Sequence, residues 1–301
     1  GALFATLLAR AAAARGRAFD IAPLHASRHA TWLAGLDRFD AAAAAVLLQR
    51  THLTVREALA IAGLDVAGAG DGLRGHAALD LARAATTVLA DGRTVSEALR
   101  DELLAPTSAP TIAAHLAAQR AALAAYLEHA CASEDTIALV DLGFHGSTGR
   151  AIQSATRATS PRRYVQMLAV GAEGLVRAWQ RGEDIRVFGA GPGLHADLAG
   201  PIVRHPALLE ALLIDGGTTT GYVSENGISQ PQLDASHAPE PQRIAAAACR
   251  DGVLAFQARW IEWSALRPDL ARAVLRDRRG LIAPIHRLLT MPTAVEVDRL
   301  G

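Results

Sequence analysis

The sequence predicts an α/β protein with a mostly parallel sheet and a large helical insertion. Two apolar runs, at 136–140 and 163–170, are short and partly β-branched, as expected of buried strands. A long helical stretch at about 37–132 precedes them and lacks the strand–helix alternation of a doubly wound sheet. A glycine-rich loop separates the first apolar run from a helical segment, which is the order of strand, loop and helix in a parallel sheet.

The amino-acid composition argues against some classes of function. The 301 residues include 30 basic and 30 acidic side chains, so the formal net charge is zero and gives no support for nucleic-acid binding. Half of the residues are apolar, which is enough for a sizeable core, and we find no apolar run long enough to cross a bilayer. The two cysteines, Cys131 and Cys249, lack metal-ligand spacing, which predicts reduced thiols and a cytoplasmic protein.

The first 31 residues predict a helix followed by a strand and a polar cluster. Residues 2–16 have helical periodicity, and 19–26 is interpreted as a short strand. The strand ends at Ser27, Arg28 and His29, which offer a hydroxyl, a planar guanidinium and a titratable ring to phosphate oxygens. The sequence leaves open the alternative that Ser27 caps a helix and Arg28 is solvated on its first turn.

The helical stretch at about 37–132 is interpreted as an insertion between two strands of the sheet. The phrase T-V-x-E-A-L occurs twice, starting at Thr54 and at Thr94. Each copy predicts a capped helix start, because a threonine followed three residues later by glutamate can form a capping box. We expect this insertion to determine specificity or to act as a lid.

The segment 135–152 organises the rest of the chain. Its apolar run ends at Asp141, and helix-forming residues begin at Arg150. The loop between them is rich in small and hydroxyl-bearing residues, among them Gly143, Gly146, Ser147, Thr148 and Gly149. Such a loop can present backbone N–H groups, hydroxyls and the positive end of a helix to a phosphate. The chain contains no lysine, which excludes an ATPase P-loop, and the remaining alternative is an ordinary glycine-rich turn.

The C-terminal half predicts two further strands, a hairpin and a helical end. Strands are expected at 163–170 and, more weakly, at 184–188, where the following G-A-G-P-G is interpreted as a loop and not as a dinucleotide fingerprint. A helix at 205–213 contains Glu210 among apolar neighbours. Residues 216–222 are interpreted as another glycine and threonine loop. The hairpin after it has its turn at Asn226-Gly227, and 241–290 is expected to be helical.

Three motifs together indicate a family. They are LHASRHA at 24–30, VDLGFHGST at 140–148 and LLEALLIDGGTTTGY at 208–222. In these motifs the chain resembles the predicted proteins of bacterial surface-polysaccharide (ribofuranose) clusters, in the region that follows a haloacid-dehalogenase-like phosphatase. The resemblance covers most of the chain. It implies a phosphoribosyltransferase-like fold and the transfer of ribofuranosyl 5-phosphate from phosphoribosyl pyrophosphate to a glycan, after which a phosphatase removes the phosphate.

The resemblance implies a role for each candidate residue. The glycine and hydroxyl loop would anchor the 5-phosphate, Asp141 would bind the ribose hydroxyls, and Ser27 with Arg28 would face the pyrophosphate. Magnesium would be held mainly by the pyrophosphate of the donor, with no dedicated protein metal site. The candidates for a general base are Glu210, His145 and His29, although a solvated helix face or a structural hydrogen bond is the alternative for each.

The sequence departs from the family in two places. Phosphoribosyltransferases usually have two adjacent acidic residues before the phosphate loop, whereas Leu142 follows Asp141 here. Family members also have an R-D-G phrase after the first strand, and this chain begins at the corresponding glycine, Gly1. We therefore expect one phosphoribosyltransferase-like domain over 1–301 that lacks its first strand.

The resemblance also implies partners and a location. The partners would be phosphoribosyl pyrophosphate, a lipid-linked acceptor glycan, and phosphatase or glycosyltransferase domains of the same pathway. The protein would work in the cytoplasm, at the inner face of the membrane when it meets its acceptor. The alternative class is a non-catalytic module that binds a sugar phosphate or nucleotide, or scaffolds a glycosyltransferase, and the missing second acidic residue favours it.

Overall fold

The structure, a computed structural model, describes residues 2–51, 53–131, 135–157, 162–205, 217–225, 228–235, 240–277, 279–291 and 293–294. It confirms the α/β class: a three-stranded parallel sheet is combined with many helices. A separate two-stranded antiparallel sheet completes the strands of the described residues. Within these ranges, no helix has the length and hydropathy that crossing a membrane requires.

Helices dominate the chain before the sheet. Their bounds are α1 (Ala2–Ala14), α2 (Arg28–Ala34), α3 (Ala41–Leu48), α4 (Val55–Ile61), α5 (Asp71–Arg74), α6 (Leu81–Ala84), α7 (Val95–Leu104) and α8 (Ala109–Ala130), with a 3-10 turn at Val66–Gly68. The predicted capping boxes are present at both copies of the repeated phrase, where Thr54 pairs with Glu57 and Thr94 with Glu97. In each, the threonine hydroxyl accepts from the glutamate N–H and the carboxylate accepts from the threonine N–H.

The parallel sheet begins after α8. Its strands are β1 (Thr136–Phe144), β2 (Arg163–Gly171) and β3 (Ile185–Ala190), in that order across the sheet. Residue Asp141 pairs with Leu168 in the β1–β2 register. The strands alternate with α9 (Ser147–Thr156), α10 (Leu175–Gln180) and α11 (Ala196–Arg204). Both later strands expected from the sequence are therefore confirmed.

A β-hairpin and further helices follow the parallel sheet in the chain. Strands β4 (Gly217–Glu225) and β5 (Ile228–Ala235) are antiparallel, and their turn at Asn226-Gly227 lies outside the described residues. The expected loop at 216–222 is wrong for Gly217 onwards, since these residues pair with β5 over the length of β4. Helices α12 (Glu240–Leu266), α13 (Pro268–Arg276) and α14 (Arg279–Thr290) follow, as expected for 241–290.

The two largest of the four buried clusters in the described residues hold the helices and the sheet. The first lies within the helical region before the sheet and includes Leu47, Leu59 and Leu99, all fully buried. The second joins α2, α8, α9, β2 and β4; its buried members are Ala30, Ala34, Leu123, Tyr126, Leu127, Ile152, Ala155, Tyr164 and Tyr222. Burial of this apolar surface stabilises the position of α2 and α9 against each other.

The predicted strand at 19–26 is wrong, because residues 17–27 form no regular secondary structure. Two tyrosine hydroxyls take the place of a neighbouring strand at His25. The Tyr126 hydroxyl accepts from the His25 N–H at 3.0 Å, and the Tyr222 hydroxyl donates to the His25 carbonyl at 2.9 Å. The two rings lie 5.3 Å apart between centroids. The segment is therefore fixed by side chains that are distant in the sequence.

Candidate functional site

A cavity of about 1300 Å³ surrounds one edge of β1. Its wall includes all residues from 136 to 142, and since neighbouring strand residues point to opposite faces, the cavity extends around the strand. Within the described residues β1 is hydrogen-bonded to β2 only, so its other edge is open. Helix α1, the segment 17–27 and the first turn of α9 contribute to the remaining wall, together with residues at the end of α8, in β2 and in β4.

Both polar clusters that the sequence predicts to share a site contribute to this cavity. Ser27 belongs to its wall, and so do Asp141, Thr148 and Gly149. Gly143 at the end of β1, Gly146 before α9 and Ser147 at its first position are not part of the wall. Ser27 and Thr148 thus line the same cavity, whereas Arg28 and Gly146 do not belong to its wall.

The first turn of α9 has hydrogen-bond donors without partners. Gly146 precedes the helix in the left-handed conformation, with φ 63°, and no side chain caps the helix. In the part of the chain that is described, the backbone N–H groups and the hydroxyls of Ser147 and Thr148 have no hydrogen-bond partner. Regular helical bonding starts at Arg150, whose N–H donates to the Gly146 carbonyl at 3.1 Å. An N-terminal turn of this kind binds anions through its N–H groups and its dipole.

The end of β1, just before α9, has an unusual backbone. Gly143 has φ 120°, and a Cβ there would lie 2.2 Å from the Val170 carbonyl oxygen of β2. Phe144 has φ 79°, which is rare for a bulky residue, and its side chain is 4% exposed. Burial of the phenylalanine against Val170 and Leu198 holds the backbone in this conformation. Strain of this type is concentrated at functional sites, where the surrounding structure maintains it.

Asp141 is the acidic residue that is nearest in sequence to the first turn of α9. Its side chain is accessible to solvent because it opens onto the cavity, yet the surrounding protein displaces much of the bulk water. This desolvation raises the pKa of Asp141 above its ordinary value, and hydrogen bonds from the Leu142 and Gly143 N–H groups and the charge of Arg28 oppose the rise. The Arg28 guanidinium is therefore close enough to Asp141 for electrostatic coupling.

The Ser27 side chain is already engaged in the structure. Its hydroxyl accepts from the Ala30 N–H at 3.1 Å, which caps α2, and donates to the Thr219 carbonyl of β4. Arg28 is exposed and has neither a hydrogen bond nor an ion pair among the described side chains. Burial lowers the pKa of the neighbouring Arg50, and the charge of Arg28 adds to that effect. Neither arginine is part of the cavity wall.

The structure gives no support to the candidate bases. His145 is exposed and is not part of the cavity wall; its Nδ1 is 3.6 Å from the position that a Cβ would take at Gly174. The side chain of His29 and all of Glu210 lie outside the described residues. Among the residues that are described, no three His, Cys, Asp or Glu side chains come together as a metal site would require.

Sequence analysis missed Gln166, which contributes to the cavity wall from β2. Its side chain is 2% exposed, and its Nε2 is buried without a partner in the described structure. A signal was present in the strand R-Y-V-Q-M-L-A-V, where the side chains of Tyr164, Gln166 and Leu168 point to one face. A lone amide between two buried apolar residues predicts either a structural hydrogen bond or a ligand.

No protein-family model matches the chain, and no curated protein matches it.

Proposed function

We propose that the cavity beside β1 and α9 binds phosphoribosyl pyrophosphate and that the protein transfers ribofuranosyl 5-phosphate to an acceptor glycan. One observation supports this proposal more than any other. At the carboxyl end of β1, the first turn of α9 combines N–H groups and hydroxyls that have no partner among the described residues. In α/β sheets, ligands bind at the carboxyl ends of the strands, and an anion suits such a turn.

The phosphate would be anchored at the start of α9. Thr148 and Gly149 reach the cavity directly, and Ser147 adds a hydroxyl and an N–H one residue earlier. Hydrogen bonds to a charged phosphate contribute about 1.5–3 kcal/mol each, which is more than bonds between neutral groups. Anchoring the far end of the donor orients the anomeric carbon and lowers the entropy that the reaction has to overcome.

The ribose and the pyrophosphate would lie further along the same cavity. Asp141 would accept hydrogen bonds from ribose hydroxyls. Arg28 is not part of the cavity wall, but its charge lowers the pKa of Asp141, and its exposed guanidinium, unpaired among the described residues, would face the pyrophosphate. A single carboxylate together with substrate oxygens and water matches the hard oxygen ligands that magnesium prefers. When bound to the pyrophosphate, magnesium would neutralise the charge of the leaving group.

The reaction would be a substitution at the anomeric carbon. The bond from that carbon to pyrophosphate breaks through a transition state with oxocarbenium character, and the acceptor oxygen forms the new bond while its proton leaves to water. The chain's own groups hold the donor at both ends, and the Asp141 carboxylate stabilises the positive charge that develops on the ribose. The acceptor approaches from the open side of β1.

A second function, binding without catalysis, is favoured by one observation. Leu142 stands where phosphoribosyltransferases usually have a second acidic residue, and it packs against the apolar cluster around Phe144 and Val170. Only Asp141 can therefore contact the ribose from this pair. A module that binds a sugar phosphate needs the anchor at α9 but not a full set of catalytic contacts.

The test is donor turnover. The purified chain is incubated with phosphoribosyl pyrophosphate, magnesium and a panel of bacterial surface glycans, and pyrophosphate release is measured beside calorimetric binding of the donor. We expect saturable binding and glycan-dependent release of pyrophosphate. Binding without release would favour the non-catalytic module. Absence of donor binding in a folded protein would overturn both functions.

A further inference from the structure

The buried side-chain amide of Gln166 lies against the first turn of α9. The Gln166 side chain is 2% exposed, and its Nε2 has no hydrogen-bond partner in the described residues. Leaving a polar group buried and unpaired destabilises a protein by about 1–3 kcal/mol, and native structures contain few such groups. Leucine of similar volume would avoid this penalty at the same place. The amide therefore suggests a role that the protein without ligand does not reveal.

The amide touches the two glycines that shape the turn. A Cβ at Gly149 would lie 2.3 Å from the Gln166 Cδ and Oε1, and a Cβ at Gly146 would lie 2.7 Å from the Oε1. Both distances are too short for a real side chain, so the amide occupies the space beneath the first turn of α9. Gln166, Thr148 and Gly149 also belong to the wall of the same cavity. The amide is thus next to the unpartnered N–H groups and hydroxyls.

We propose that Gln166 is a ligand-binding residue, whose amide N–H group donates to a phosphate oxygen held at the start of α9. This inference rests on the proposed function, because it names a further contact of the phosphate that anchors the donor. The ligand class is a phosphate monoester such as a pentose 5-phosphate. Gln166 would meet the phosphate from the β2 side, while the α9 N–H groups and the hydroxyls of Ser147 and Thr148 meet it from the helix side.

The chemistry of an amide suits this position. A phosphate has only acceptor oxygens when fully ionised, so it requires donors on every side. The amide of glutamine donates without adding charge, and rotation about its last side-chain torsion exchanges the nitrogen with the oxygen. A carboxylate of the same size would repel the phosphate. A larger cationic side chain would not fit beneath two glycines whose Cβ positions are already blocked.

The experiment compares two glutamines of the same region. Gln166→Leu removes the unpartnered amide, and Gln166→Met does so with a side chain of unchanged length. Gln153→Leu is the control, since the half-buried Gln153 on α9 donates from Nε2 to the Tyr164 carbonyl at 3.3 Å. Inorganic phosphate and ribose 5-phosphate are titrated into each protein by calorimetry, and thermal unfolding is recorded without ligand.

We expect opposite effects from the two positions. Both Gln166 variants should lose at least tenfold in affinity for both probes, with a melting temperature equal to or above that of the wild type. The Gln153 variant should keep its affinity and melt at a lower temperature. Thermal unfolding without ligand distinguishes a structural amide from a ligand-binding one. A structural amide stabilises the protein in the absence of ligand, and a ligand-binding amide does not.

Three results would overturn the inference. Unchanged affinity of the Gln166 variants, with a wild type that binds, would remove Gln166 from the site and leave the proposed function standing. A wild type that binds neither probe would overturn the inference and the phosphate anchor together. Loss of folding in both Gln166 variants would show that the amide has a packing role and is not reserved for a ligand.

Discussion

The starts of α2 and α9 are built from similar residues but differ in how their polar groups are used. At α2 the Ser27 hydroxyl accepts from the Ala30 N–H and donates to the Thr219 carbonyl, so this start is satisfied within the protein. At α9 a glycine in the left-handed conformation precedes two hydroxyl residues, whose groups have no partner in the described residues. The difference teaches that hydroxyls at a helix start are available to a ligand only when the helix does not use them as its own cap.

We expect the largest effect on donor binding when Gly146 is replaced with a residue that has a larger side chain. Valine would have to adopt φ 63° with its Cβ 2.7 Å from the Gln166 Oε1 and 3.1 Å from the Ile185 Cδ1. We expect Gly146→Val to abolish donor binding and to lower the free energy of unfolding by about 1–3 kcal/mol. The measurements are calorimetry with phosphoribosyl pyrophosphate and magnesium, and urea unfolding.

Gly92→Val is the matched control for this variant. Gly92 also has a positive φ, 84°, but a Cβ there would have no heavy atom within 4 Å, and Gly92 is not part of the cavity wall. The control should lose stability through backbone strain alone and keep its affinity. Normal binding by Gly146→Val would mean that the start of α9 is an ordinary turn and that the difference from α2 has no functional meaning.

The next largest effect is expected at the start of α9, where a double variant should lose donor affinity but keep its stability. Replacing both Ser147 and Thr148 with alanine removes two contacts to a charged phosphate, each contributing roughly 1.5–3 kcal/mol before allowing for non-additivity. Donor affinity should fall at least about tenfold, since each 1.4 kcal/mol is a factor of ten. The melting temperature without ligand should change little, because neither hydroxyl has a partner within the described structure. Equal affinity of variant and wild type, with intact helical circular dichroism, would place the site elsewhere.

Ser27→Ala should show the reverse behaviour at α2. The variant loses the helix cap and the bond to Thr219, and a lost cap alone lowers the free energy of unfolding by about 0.5–2 kcal/mol. Donor affinity should change less than in the variant of Ser147 and Thr148. Urea unfolding and calorimetry on the two variants test this pair directly. A large loss of affinity with unchanged stability would assign the Ser27 hydroxyl to the ligand and not to the cap.

The smallest effect concerns the pH dependence of stability. Desolvation raises the pKa of Asp141 in the folded protein above its ordinary value. The folded state therefore favours the protonated carboxyl, and the stability that this group contributes is present at low pH and lost as the pH rises through the raised pKa. Asp141→Asn should accordingly unfold at higher urea concentration than the wild type at pH 7, while the difference shrinks at acidic pH. A variant less stable than the wild type at pH 7 would mean that the partners of Asp141 stabilise the folded protein by more than desolvation of the carboxylate destabilises it.

Local patterns allowed the α9 region to be predicted from the sequence. Strand β1, the glycine loop and α9 are neighbours in the chain, and periodicity with glycine placement is enough to identify them. The capping boxes at Thr54 and Thr94 were found for the same reason. In each case the hydrogen-bond partners lie within a few residues of one another.

Long-range partners explain what the sequence did not reveal. The segment 19–26 has strand-like composition, but its backbone bonds at His25 go to the side chains of Tyr126 and Tyr222. Periodicity does not report which side chains reach a backbone from another part of the chain. The role of Gln166 depends on two glycines of a helix that packs over it, which is equally non-local.

The hydrogen bonds that hold His25 and Ser27 in the cavity wall have a consequence for folding kinetics. His25 is joined to residues 101 and 197 positions away, and Ser27 to one 192 positions away. Contacts of high sequence separation form slowly, because the chain must close large loops before they stabilise it. The helical region before the sheet can fold on local contacts, whereas the cavity wall at Ser27 must wait for strand β4 of the hairpin. During synthesis this part of the cavity wall therefore forms later than the helical region.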